Sequence, residues 1–135
     1  MAFQRYVSNH HQQLKATLHH LCEEGARVAA YGASTKGSVL LQAAGLTHTE
    51  IAYAADANPR KVGRYLPGTG IPIISEEDMR QRRPDYLLVL PWAFAFEFSL
   101  RELALLEQGT QMIVPFPYPH IFARTSVGKE PAYAL

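Results

Sequence analysis

The chain has 135 residues, nearly half of them apolar, enough to close one hydrophobic core, so a single compact domain over 1–135 is expected. Lys and Arg total 13 against 12 Asp and Glu, a balance that gives no long-range field to hold a polyanion and argues against nucleic acid as a partner. Apolar stretches are interrupted well before the roughly 20 residues of a membrane-spanning helix and no signal-peptide pattern opens the chain, so no membrane partner and a soluble, cytoplasmic protein are expected.

In chain order, Tyr6, Val7, Leu14, Leu18, Leu21 and Cys22 recur at helical intervals and predict an amphipathic helix over Tyr6 to Leu21, stopped by Gly25. Cys22 is the single cysteine, which excludes an internal disulfide and a cysteine-cluster zinc site; its expected role is a small buried side chain. Arg27 to Tyr31 reads as a buried first strand running into Gly32, and Lys36 to Ala44 as a helix ending at Gly45. Ile51 to Ala55 makes a second strand ending on Asp56. A long loop rich in glycine, proline and cations covers Asn58 to Pro72, with a brief strand at Ile71 to Ile74. Ser75 ahead of Glu76, Glu77 and Asp78 is an N-cap with acidic residues at the positive end of a short helix. Tyr86 to Leu90 is a strand, Ala93 to Leu106 a helix ending near Gly109, and Gln111 to Pro115 the last strand.

Strands that alternate with helices pair in parallel through right-handed crossovers, so the expected fold is α/β, a Rossmann-like open parallel sheet with helices on both faces. Ligands in such sheets lie beyond the carboxyl ends of the strands, where strand order reverses. The turn Gly32-Ala33-Ser34-Thr35-Lys36-Gly37 stands at one such end. Its backbone N–H groups and the helix dipole suit an anion, Lys36 adds a full charge, and the Ser34 and Thr35 hydroxyls can donate to phosphate or cap the helix. Ser34 holds the place of the middle glycine of the dinucleotide fingerprint, which disfavours close NAD approach. Asp56, about 20 residues on, either accepts ribose or sugar hydroxyls or caps the turn Ala57-Asn58-Pro59.

Arg60, Lys61 and Arg64 with Tyr65 form a cationic segment expected on the same sheet edge as Lys36, where either a diphosphate fits between them or the cations are simply solvated. Trp92 and Phe94 either stack on a base or sugar or pack into the core. His10, His11, His19 and His20 lack the i, i+4 pairing of helical metal ligands, so no metal site is expected. His120, among prolines after the last strand, is a candidate ligand contact with no catalytic partner at recognisable spacing; no catalytic residue is named.

Three stretches together resemble the C-terminal domain of the S-adenosylmethionine-dependent sugar C-methyltransferase family: Tyr31 to Gly37; Asp56 with Asn58-Pro59, Lys61 to Gly63 and Pro67 to Ile73; and Pro84-Asp85-Tyr86 with Leu90-Pro91-Trp92. Ile113-Val114-Pro115 closes the likeness. The resemblance implies that this module holds the diphosphate of a nucleotide-linked deoxysugar, while S-adenosylmethionine and most of the catalytic groups belong to a middle, methyl-donor domain acting in cis or in trans. That domain is not within these 135 residues, so methyl transfer by this domain alone is not expected. Where the family has Asn after the tryptophan this chain has Ala93, which removes a possible amide contact, although Glu97 keeps the acidic position further on.

Overall fold

The computed structural model describes residues 2–122 and 132–134. Helix α1 (Ala2–Glu23) leads into strand β1 (Val28–Tyr31) and helix α2 (Thr35–Ala43). Strands β2 (Ala54–Asp56) and β3 (Ile73–Ser75) precede helix α3 (Glu76–Arg82) and strand β4 (Tyr86–Val89). A 3-10 turn over Trp92–Phe94 opens α4 (Ala95–Arg101) and α5 (Leu103–Glu107), and strands β5 (Gln111–Val114), β6 (His120–Phe122) and β7 (Ala132–Ala134) follow. The sheet order is β3-β2-β1-β4-β5-β6-β7. Its first five strands are parallel, the last two antiparallel.

Strand alternation sorts the core into two layers. Val28 and Ala30 face Leu14 and Leu18 of α1 and Leu40 and Leu41 of α2, while Ala29 and Tyr31 face Met79 of α3, Ala95 of α4 and Leu105 of α5. The α/β sheet with helices on both faces is therefore present, and every parallel strand is apolar on both sides, as a doubly covered sheet requires. Alanine dominates β1 and β2, which lets the helices sit close to the backbone. The β3 edge is closed by the preceding loop. Gly63 N–H donates to Ile73 (3.0 Å), Ile73 N–H to Arg64 (2.8 Å) and Leu66 N–H to Ile71 (2.9 Å), so no free ladder is offered to a second chain on that side.

Three local features depart from the sequence reading. Beyond Gln111–Val114, expected to be the last strand, β6 and β7 extend the sheet in antiparallel sense. Pro115, Pro117 and Pro119 mark the connection rather than the end of the fold, and three-residue strands are too short to show a period. The helix expected over Ala93 to Leu106 divides at Glu102 (φ −104°, ψ 25°). Cys22 is half-buried and its Sγ–H donates to the Glu50 carbonyl at 3.1 Å, so it is a polar tie as well as filler. No helix among the described residues is long and apolar enough to cross a membrane.

The break at Glu102 coincides with a cluster of buried charges. Its carboxylate is turned inward, 2% exposed, and takes a paired contact from Arg80 (Nε to Oε1 and Nη2 to Oε2, each 2.8 Å) and the Tyr31 hydroxyl at 2.7 Å. Glu76 joins through Arg80 at 3.3 Å and through Arg101. Burial alone would raise the Glu102 carboxyl, but the hydrogen bonds from Arg80 and Tyr31 and the nearby cations outweigh it and hold the group below its ordinary value. Glu50 is likewise lowered, burial being outweighed by the Thr47 N–H and Lys15.

Because these carboxyls are depressed in the folded state, the unfolded chain takes up protons first as pH falls. Their contribution is complete above the ordinary Glu value of about 4.3 and is lost below it, as pH drops through the folded values. Urea unfolding from neutral to acidic pH is expected to show this loss. Glu102→Gln should cost roughly 2 kcal/mol at neutral pH, less than a fully buried pair because Arg80 is part-exposed, and should flatten the acid limb.

Candidate functional site

The chain leaves β1 outward through β2 and β3 and returns on the other side at β4, so the reversal of strand order lies between the carboxyl ends of β1 and β4. Both ends are tightly apposed. Gly32 sits at φ +90°, and a Cβ there would meet Pro91 at 2.8 Å; a Cβ on Gly37 would meet Leu90 Cβ at 2.6 Å. Only glycine permits the turn after β1 and the first turn of α2 to rest against the end of β4 in this way.

That apposition puts Lys36 beside Trp92. The ammonium lies 4.4 Å from the centroid of the indole ring, within cation–π range. Trp92 is half-buried, packed against both core layers and against Phe116 (centroids 4.6 Å apart, 49° between planes). The two alternatives for this tryptophan are therefore not exclusive: it packs on one side and carries a cation on another. Phe94, by contrast, is 57% exposed.

Ser34 caps α2, its Oγ accepting from Gly37 N–H at 3.0 Å. Thr35 and Lys36, in the first turn of α2, have no intrahelical carbonyl for their N–H groups, which lie at the positive end of the helix dipole. Lys36, the exposed Thr35 hydroxyl and these N–H groups make up the anion-suited cluster.

Asp56 is committed elsewhere. Oδ2 accepts from Ala33 N–H and Oδ1 from Asn58 N–H, both at 2.8 Å, so the carboxylate caps the turn after β2 and at the same time ties it to the turn after β1. Lys61 completes the brace, donating to the Ala33 carbonyl at 3.0 Å with its ammonium 3.9 Å from Asp56. One loop N–H thought available to an anion is thus used internally.

The remaining candidates do not converge. Arg64 and Tyr65 are exposed and run antiparallel along the outer edge of β3, three strand positions or about 14 Å from β1. They stand on the β3 flank rather than beside Lys36. His120 begins β6, opposite Val114, and is equally far from β1 on the other side; its ring is buried and Nδ1–H donates to the Tyr118 carbonyl at 2.7 Å. Phe116 lies in the stretch Pro115 to His120, one of the strand ends where the sequence places a ligand, but an aromatic between two prolines gives no signal that singles it out.

A family model described as the C-methyltransferase C-terminal domain matches residues 1–117. The chain belongs to that family. It is similar to the C-methyltransferase NovU of Streptomyces niveus, with 42% identity over 114 residues, a stretch that is 84% of this chain and 27% of NovU. The chain thus spans about a quarter of that relative's length. The turn after β1, the Asp56 brace, Trp92 and Phe116 all fall inside the part matched to the C-methyltransferase C-terminal domain, and His120 falls outside it.

If Asp56 braces the two turns, Asp56→Ala should lower stability by about 1–2 kcal/mol in the absence of any ligand, since two backbone donors lose their acceptor. Chemical unfolding of the unliganded protein measures this, and unchanged stability would return Asp56 to the ligand.

Proposed function

We propose that this domain binds the diphosphate of a nucleotide-linked deoxysugar at the carboxyl ends of β1 and β4, as the substrate-holding part of an S-adenosylmethionine-dependent C-methyltransferase acting in the cytoplasm. The observation that carries the reading is Lys36 held on Trp92 beside the first turn of α2. An ammonium resting on an aromatic face keeps N–H donors for a phosphate oxygen, and its position is fixed before the ligand arrives, which reduces the ordering cost of binding. The exposed N–H groups of the helix start add directional donors for the same anion. The indole supplies an apolar surface for a sugar or base.

In this reading the methyl donor and the general base reside on a separate methyl-donor domain, in cis or in trans, and this domain positions the sugar for it without transferring methyl by itself. Family membership supports the C-methyltransferase role, and the similarity to NovU covers a stretch of that order in a longer protein. An NAD-binding reading loses support from the same geometry: Ser34 stands where a glycine would admit the pyrophosphate, and both Asp56 oxygens that would receive ribose hydroxyls are taken by backbone N–H groups.

Calorimetric titration with thymidine diphosphate is expected to show weak binding that Lys36→Ala reduces about ten-fold, the equivalent of ~1.4 kcal/mol for one charge-assisted contact. Absence of binding by the wild type, both alone and with a methyl-donor domain supplied, would overturn the proposal.

A further inference from the structure

Trp92 is supported from below by a chain of contacts that ends on α1. Phe116 lies against Trp92 on one side, and on the other it stacks on the imidazole of His10, with centroids 4.1 Å apart and planes within 6° of parallel. His10 is 3% exposed. Its Nε2 is 2.6 Å from the Pro115 carbonyl, and since a carbonyl only accepts, the ring is held there as the Nε2–H donor. One side chain therefore fixes both the backbone and the aromatic ring of the segment that follows β5.

The choice of residue follows from the segment's composition. Pro115 and Pro117 have no N–H, so this connection cannot brace itself through a backbone ladder, and the buried Pro115 carbonyl needs a donor from elsewhere. A phenylalanine at position 10 would stack without donating; a glutamine would donate without stacking. Histidine does both. Four residues earlier on the same helix, the Tyr6 hydroxyl donates to the Pro117 carbonyl at 2.8 Å, a second tie between α1 and this segment.

We infer that His10 is a positioning residue: through Phe116 it sets the orientation of Trp92, and through Trp92 the place of the Lys36 ammonium. In that role α1 is a support for the β1/β4 site as well as a cover for the sheet. The effect on nucleotide affinity rests on the function proposed above; the effect on Trp92 does not.

Trp92 is the single tryptophan of the chain, so its fluorescence reports this packing directly. In the unliganded protein, His10→Ala and Phe116→Leu are expected to shift Trp92 emission to the red and make it more accessible to acrylamide. His10→Gln, which keeps a donor for Pro115 but loses the stack on Phe116, should recover only part of the wild-type signal. Leu18→Ala, a fully buried change two turns further along α1, serves as the control: it should lower the melting temperature while leaving the emission unchanged. His10→Ala should also weaken thymidine diphosphate binding about five-fold, the equivalent of ~1 kcal/mol. Unaltered Trp92 emission in His10→Ala, or an equal change in Leu18→Ala, would overturn the positioning role. Wild-type protein that binds no nucleotide would defeat the functional reading alone, since the fluorescence comparison still decides what His10 does.

Discussion

The contact of the β1–α2 turn with the end of β4 governs the arrangement. Gly32 against Pro91 and Gly37 against Leu90 are two side-chain-free approaches, five residues apart on one strand-to-helix turn and one residue apart on the other strand. Once both are made, the residue before Gly37 and the residue after Pro91 have little choice of place. They are Lys36 and Trp92. A cation–π contact worth on the order of 1 kcal/mol could not by itself organise two loops. Here it follows from a backbone apposition that the glycines allow and that strand pairing between β1 and β4 enforces, Tyr31 standing opposite Val89.

The charges at this edge divide into two groups with different work. Asp56 and Lys61 are spent on each other and on backbone groups of the two turns, so their fields largely cancel locally and they contribute rigidity. Among the described residues no carboxylate pairs with Lys36; its contact is a ring face, which leaves its N–H groups turned to solvent as donors. An anion approaching the edge meets Lys36 and the helix start, with the acid of the neighbouring turn already neutralised by its brace.

Much of the fold was legible because parallel strands and their covering helices leave strong marks. Val28 to Tyr31 and Tyr86 to Val89 are continuous apolar runs, Leu14 and Leu18 keep a helical interval, and Ser34 and Ser75 are N-caps that the structure realises with bonds to Gly37 and Asp78. The turn after β1 could be recognised from its glycines. What could not be read was set by contacts between residues far apart in sequence. Arg64 and Tyr65 carry an attractive composition, yet the Ile73 N–H bond to the Arg64 carbonyl and the bridge between Tyr65 and Pro72 hold them along the β3 flank, and composition carries no information on that pairing. Glu102, where the helix divides, is held by Arg80 and Tyr31, 22 and 71 residues away. His10 looked like one of four polar histidines on a helix, and its burial becomes intelligible only with the Pro115 carbonyl in place, 105 residues later.

These long-range ties meet at the end of β1. On one face, Tyr31 donates to the buried Glu102 in the ion cluster that joins α3 to the α4–α5 break, and burial and the bond to Glu102 push its hydroxyl far above the ordinary tyrosine range. One residue on, Gly32 N–H donates to the Ala55 carbonyl at 2.7 Å and Gly32 Cα faces Pro91; at the next, Ala33 N–H is held by Asp56. Three consecutive residues are thereby fixed by Glu102 at the α4–α5 break, by Ala55 and Asp56 of β2 and by Pro91 after β4. The start of α2 inherits that rigidity, and a helix start whose donors are already aimed loses less entropy on meeting an anion than a loop that must first be ordered. The buried ion cluster on the face opposite α2 thus bears on the site without touching it, because both are anchored to the same short strand.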